Sequence, residues 1–280
     1  MPLPPIFQKT ILRTACTHDG WSVVSRTAAI LRNTRGNTLV GRSAHANQQQ
    51  CRAMSSSKKK KKKKGGSSHR YMERQLRDPF VKRAQAEQFR ARSSFKLIEL
   101  IDKHQLVPTN NNDTGMCVVD CGAAPGGWSQ VVAQKMAVAD TSGALQLPRI
   151  VAIDLLPMPP VPGVHFIQGD FLDPATKRQV VAALDNRRVG LVLSDMAPPF
   201  TGHHSVDADR TMNLCDDVGA FADEFLAKGG SMVLKFFMGG HESEMRGRLR
   251  QAFRKVVVEK PEASRKQSSE QYLVCIDKLT

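Results

Sequence analysis

The chain is predicted to be an α/β protein built on a seven-stranded, mostly parallel sheet with an antiparallel last strand. Two observations carry this. From residue 71 onward, short apolar runs alternate with segments of helical periodicity, the pattern of βα units whose helices cover both faces of a sheet. At the end of the chain the alternation stops: two apolar runs are separated only by PEASRKQSSE. A parallel crossover needs a dozen or more residues, usually with a helix, so the last strand must turn back on its neighbour.

The elements follow in order. The segment 78–104 places Phe80, Ala84, Phe89, Phe95, Leu97, Ile98 and Ile101 mostly at helical spacing and predicts one or two helices. Strands are predicted in MCVVDCG (116–122), RIVAIDLL (149–156), GVHFIQGDF (163–171), VGLVLSDMAPP (189–199) and SMVLKFF (231–237). The last two are KVVVEK (255–260) and QYLVCIDKL (271–279). Helices are predicted over 127–138, 174–185, 209–228 and 242–254.

The 280 residues suffice for one domain of about 200 residues plus an extension. The formal charge of +15 is concentrated at one end. Fifteen of the 41 Lys and Arg, but one of the 26 acids, fall in residues 1–70, so the remainder is close to neutral. Residues 1–57 are rich in Arg, Ser and Thr with a single acid and no hydrophobic signal core, the composition of a mitochondrial or plastid transit peptide. The alternative is a disordered basic tail. Residues 58–70 open with seven lysines followed by Gly and Ser, a solvated linker that can also serve as a nuclear address or RNA tether. Met54 is a second candidate start; its use would place the protein in the nucleus or cytosol. Residues 71–280 form the predicted globular domain. No run of about 18 apolar residues predicts a membrane span. The six cysteines show neither C-x-x-C nor His spacing for a metal, so no metal is expected and reduced thiols are.

The stretch VVDCGAAPGGWSQ (118–130) is a strand, a glycine turn and a helix start. Trp128 stands where a P-loop requires lysine, and Ala124 where the dinucleotide pattern requires its second glycine. Acids instead end successive strands: Asp120, Asp154, and Asp170 in the turn after the third. Taken singly, such residues are turn formers. Together, carboxylates without a cation in the loop suit a nucleoside that lacks phosphates and carries a positive sulfonium, S-adenosylmethionine. A second anomaly is Lys235, an ammonium inside the otherwise apolar GSMVLKFFMGG (230–240). A buried unpaired charge is costly, so partners or a role are required.

VVDCGAAPGGWSQ, DLLPM, QGDF, LSDMAP, GGSMVLKFF and KPEASRKQSSEQYLV resemble, collinearly from Asp78 to Leu279, the motifs of the FtsJ/RrmJ-like ribosomal RNA 2′-O-methyltransferase family. With the transit-like segment, the chain resembles the family's mitochondrial members, which modify a uridine of large-subunit rRNA. The resemblance implies a class I, Rossmann-like methyltransferase fold and S-adenosylmethionine as cofactor. The cofactor positions it implies are Gly122, Pro125, Gly126, Gly127, Trp128, Asp154, Asp170 and Asp195. It also implies a catalytic set of Lys96, Asp195, Lys235 and Glu270. Lys235 would be the general base for a ribose 2′-hydroxyl, beside the cation Lys96, with Asp195 and Glu270 as orienting partners. Two departures stand out: a longer segment at 139–149, and Pro199 where asparagine often follows DMAP.

The expected partner is rRNA of the large ribosomal subunit or its precursor. Arg74, Arg77, Lys82, Arg83, Arg90 and Arg92 form one candidate contact patch, and Arg246, Arg248, Arg250 and Arg254 a second. With two Trp and two Tyr, no stacking platform is evident. A tRNA or mRNA-cap ribose methyltransferase, or a non-catalytic assembly factor of the same fold, are the alternatives.

Overall fold

The computed structural model describes residues 73, 75–107, 116–139, 149–239 and 242–280. The transit-like segment, the lysine linker and most of the long 139–149 segment therefore lie outside the described residues. Among the described residues no helix is long and apolar enough to cross a membrane.

The leading segment forms two helices, α1 (Pro79–Ala86) and α2 (Ser94–His104). Asp78 caps α1 by accepting the Phe80 amide, and Pro79 occupies the first turn, where its missing N–H costs nothing. The sheet and its helices follow as β1 (Cys117–Cys121), α3 (Gly127–Ala139), β2 (Ile150–Asp154), β3 (Val164–Gln168), α4 (Pro174–Leu184) and β4 (Val189–Ser194). Then come α5 (His204–Phe225), β5 (Leu226–Phe237), α6 (Glu242–Ala252), β6 (Phe253–Glu259) and β7 (Glu270–Lys278).

The seven strands order as β3-β2-β1-β4-β5-β7-β6. β1 to β5 are parallel, and β7 inserts between β5 and β6, antiparallel to both. The short polar connection predicted this reversal. Successive strand residues point to opposite faces, and each face has its own core. One gathers Val119, Val192, Leu234 and Phe236 under α4, α5 and α6. The other gathers Val118, Leu193, Val233 and Tyr272 under α2 and α3. Burial on both faces explains why β1 and β4 show no alternation of apolar and polar residues.

Two boundaries differ from expectation. Helix α5 begins at His204, earlier than predicted, because residues 204–206 are exposed and carry no apolar stripe for periodicity to detect. It stops at Phe225, where Leu226 leaves to pair with Val189; the register then jumps to Ser231 opposite Leu191. Gly229, with φ +79°, takes up the irregularity.

Candidate active site

Parallel strands β1 to β5 end at one edge of the sheet, and β7, running the other way, begins there. Across that edge the structure sets one polar residue per strand: Asp170 in the turn after β3, Asp154 on β2, Asp120 on β1, Asp195 after β4, Lys235 on β5 and Glu270 on β7. Adjacent strands lie about 4.8 Å apart, so the four acids span about 15 Å.

The glycine loop supplies the floor. Gly122 has φ +78°, and a β-carbon there would stand 3.0 Å from the Met196 main chain. The loop thus presses against the turn that carries Asp195, whose amide donates to the Cys121 carbonyl at 3.2 Å. At Gly127 a β-carbon would meet Ser94 Oγ at 2.7 Å, so this glycine lets α3 approach α2. Gly126 also has positive φ, and Pro125 is exposed. Trp128 turns into the core: it is 2% exposed, donates from Nε1 to Ser93 O at 3.0 Å and packs on Tyr272. Its indole serves packing, and its main chain in the first turn of α3 is what it offers the loop.

Asp154 and Asp170 do act as turn residues. Asp154 Oδ1 accepts the Leu156 amide and Oδ2 the Ala124 amide, each at 2.8 Å, and Asp170 Oδ1 accepts the Leu172 amide at 2.9 Å. Carboxylate oxygens keep a further lone pair, so the same groups can still receive hydroxyl or amino donors. Asp120 is different. It is fully buried, Ser129 Oγ donates to Oδ2 at 2.6 Å, and Oδ1 has no hydrogen-bond partner. Burial, with the Asp195 and Asp154 charges adding and Ser129 opposing, pushes its carboxyl up to about 7. An orphaned acceptor beside three other carboxylates fits a ligand with an ammonium, a sulfonium and a ribose diol, the donor set of S-adenosylmethionine.

The Asp120 shift sets an expected pH response. Its folded value lies above the unfolded one of about 3.9, so its contribution is full at lower pH and disappears as pH rises through about 7. The melting temperature of the unliganded protein should therefore fall from pH 5 to pH 8. The Asp120→Asn variant should show a shallower fall, and equal slopes in a thermal-shift series would refute the assignment.

The four residues expected to be catalytic meet at the other end of the row. Lys96 and Lys235 are each 8% exposed. Lys96 Nζ pairs with Glu270 Oε1 at 2.5 Å. Lys235 Nζ lies 3.1 Å from Asp195 Oδ1 and also donates to the Asp195 carbonyl. Burial favours the neutral form of Glu270, but the Lys96 charge and hydrogen bond, together with Lys235, prevail and hold its carboxyl below the ordinary range. Two lysines and two carboxylates are thus paired in a buried cluster.

The hydroxyl of Tyr272 links the pairs. It lies 3.1 Å from Asp195 Oδ1 and 3.2 Å from Glu270 Oε1, and accepts from Lys96 Nζ at 3.4 Å. Burial, then the two carboxylate charges, raise its phenol well above the usual value, so it stays a donor. Sequence reasoning missed this residue. The signal was its position two residues after Glu270 on a strand, which puts both on one face.

The predicted RNA contacts divide. Arg90 donates to the carbonyls of Pro125, Pro159 and Pro160, tying the glycine loop to the segment after β2. Arg92 is engaged by Asp78 and the Ala263 carbonyl. Both are parts of the scaffold. Arg77 and Arg83 are exposed beside Glu73 and Glu87, Arg248 and Arg254 pair with Asp216 and Asp277, and Arg74 lies outside the described residues. A cleft of about 1080 Å³ opens between Arg77 and Phe80 on one wall and Arg265, Lys266 and Ser268 on the other. A smaller recess shares Arg92, Arg265 and Ser268 with it and reaches Lys96 and Glu270. Arg265 and Lys266 were not singled out in the sequence because nothing in PEASRKQSSE shows which side of the hairpin faces the site.

Comparison with known proteins identifies the family. The sequence profile of the FtsJ-like methyltransferase family matches residues 89–278. Ribosomal RNA large subunit methyltransferase E of Rhizobium meliloti (strain 1021) is 44% identical over 208 residues, 74% of this chain and 80% of that protein. The protein of the same name from Rhodopseudomonas palustris (strain BisA53) is 42% identical over 210 residues, 75% of this chain and 85% of that one. Among solved structures, a ribosomal RNA methyltransferase from Plasmodium falciparum superposes with a TM-score of 0.58 at 26% identity, covering 68% of this chain and 99% of its own. The chain belongs to the FtsJ-like methyltransferase family.

Proposed function

We propose that the protein is an S-adenosylmethionine-dependent methyltransferase that modifies a uridine ribose 2′-hydroxyl of large-subunit rRNA in the mitochondrial matrix. The observation that carries the reading is the row of carboxylates across β3, β2, β1 and β4 running directly into the paired lysines on α2 and β5. The names of the bacterial relatives support the rRNA substrate. The Arg/Ser/Thr-rich residues 1–57, with one acid, support the compartment and the boundary before the lysine linker.

Bound at the glycine loop, the cofactor supplies a methyl group on a positive sulfonium that leaves readily. The chain's own tasks are then to position the hydroxyl in line with that methyl and to take its proton. Asp154 and Asp170 hold the nucleoside end, and Asp120 offers its unpaired oxygen to the amino-acid end. As the general base, Lys235 receives the 2′-hydroxyl proton on its Nζ lone pair, and Asp195 fixes that Nζ. Lys96, held by Glu270, faces the oxygen on which negative charge grows. Arg265 and Lys266, on the cleft leading to this cluster, meet the RNA phosphates.

Depleting the protein and mapping ribose methylation in mitochondrial large-subunit rRNA tests the reading. One 2′-O-methyl mark should disappear; an unchanged map would remove the rRNA substrate and the compartment together.

A further inference from the structure

Beside the lysine cluster stands a side chain that the chemistry above leaves without a task. Phe200 is 65% exposed, and it is the one exposed Phe, Tyr or Trp among the described residues. An exposed large aromatic ring costs hydration free energy unless something covers it. Its position is fixed. Five residues after Asp195, it rests edge-to-face on Phe237, with ring centroids 5.3 Å apart and planes at 69°. Phe237 lies two residues after Lys235 on β5, on the same face of the strand and about 7 Å further along. The ring of Phe200 therefore stands within one nucleotide's reach of the proton acceptor.

The loop that bears it is also braced. Pro198 and Pro199 precede Phe200, restricting the backbone before the ring. After it, Asp207 accepts the Thr201 amide and hydroxyl, each at 2.8 Å, and the Gly202 amide at 3.2 Å. The His203 amide donates to Thr201 Oγ1. A ring held in this way loses little conformational freedom when a flat partner lies on it.

We propose that Phe200 is a stacking surface for a nucleobase of the RNA, the base of the methylated nucleotide or of its neighbour. The inference rests on the function proposed above and extends it from ribose chemistry to base contact. Stacking accepts any base, so Phe200 supplies affinity and placement while leaving sequence choice to other contacts. It also gives the proline at position 199 a purpose: its ring stiffens the approach to Phe200.

The test uses the full chain and two labelled probes, single-stranded oligouridylate and an abasic ribose-phosphate oligomer of equal length. Phe200→Ala should weaken oligouridylate binding about 10- to 100-fold. It should leave abasic-oligomer binding, S-adenosylmethionine binding and the melting temperature unchanged, and Phe200→Trp should retain wild-type affinity. Equal oligouridylate affinity in wild type and Phe200→Ala, or equal losses on both oligomers, would overturn the stacking role. A wild-type protein that transfers no methyl group to rRNA yet shows the base-dependent loss would leave the surface standing and overturn the proposed function instead.

Discussion

Lys235→Ala should lower single-turnover methyl transfer by about 10²- to 10⁴-fold, the range for losing a general base, while S-adenosylmethionine binds nearly as before. Among the described residues Lys235 Nζ bonds to Asp195, through its side chain and its carbonyl, whereas the nucleoside end of the cofactor row lies three and four strands away. Asp195 keeps the Tyr272 hydroxyl when the lysine goes, so the cofactor edge should hold its form. Lys235→Arg sharpens the result. Arginine can keep the pairing to Asp195 but stays protonated at accessible pH and so cannot accept a proton; it should be as inactive as alanine. Near-normal transfer by either variant, measured with cofactor and RNA both saturating, would remove the base assignment.

Tyr272→Ala should destabilise the protein by about 3–5 kcal/mol, the usual cost of emptying a large aromatic site in a core. Tyr272 is fully buried, packs on Trp128 at 5.8 Å and sits mid-sheet opposite Lys235. For a domain of this size the melting temperature should drop by about 10 °C or more. The cavity would also strip Asp195 and Glu270 of a shared donor. Tyr272→Phe separates the two effects. Its ring still packs, so stability should fall by only about 1–2 kcal/mol. Transfer should fall much further than that fraction implies, because one proton between two carboxylates no longer fixes their spacing. A Tyr272→Phe protein with wild-type kcat and a lowered melting temperature would reduce the hydroxyl to a structural bond.

Much of the site was legible because its chemistry conflicts with its surroundings. Lys235 stood out as an ammonium in a core strand, and the short loop before Glu270 forced the hairpin that brings Glu270 to the working edge. The acids at strand ends were visible for the same reason: topology alone decides which ends share an edge. What could not be read was contact between distant segments. Nothing in the spacing of Arg90 announces that it will bond three proline carbonyls. Trp128 looked like part of a binding loop, yet its indole is core, since a helix start presents its side chains inward as readily as outward. Tyr272 was hidden for the opposite reason: an aromatic in an apolar strand raises no conflict, and its hydroxyl acquires meaning only from two carboxylates elsewhere in the chain.

The insertion of β7 between β5 and β6 also has a consequence for synthesis. A chain emerging from the ribosome offers β1 to β6 before the strand that joins the last two of them exists. Until it arrives, β5 has an open hydrogen-bonding edge, the kind of edge that invites wrong partners. Glu270 and Tyr272 arrive on that same strand. The donor row can be complete in an unfinished chain, but the cluster that would act on RNA cannot, so the step that closes the sheet is also the step that switches the enzyme on.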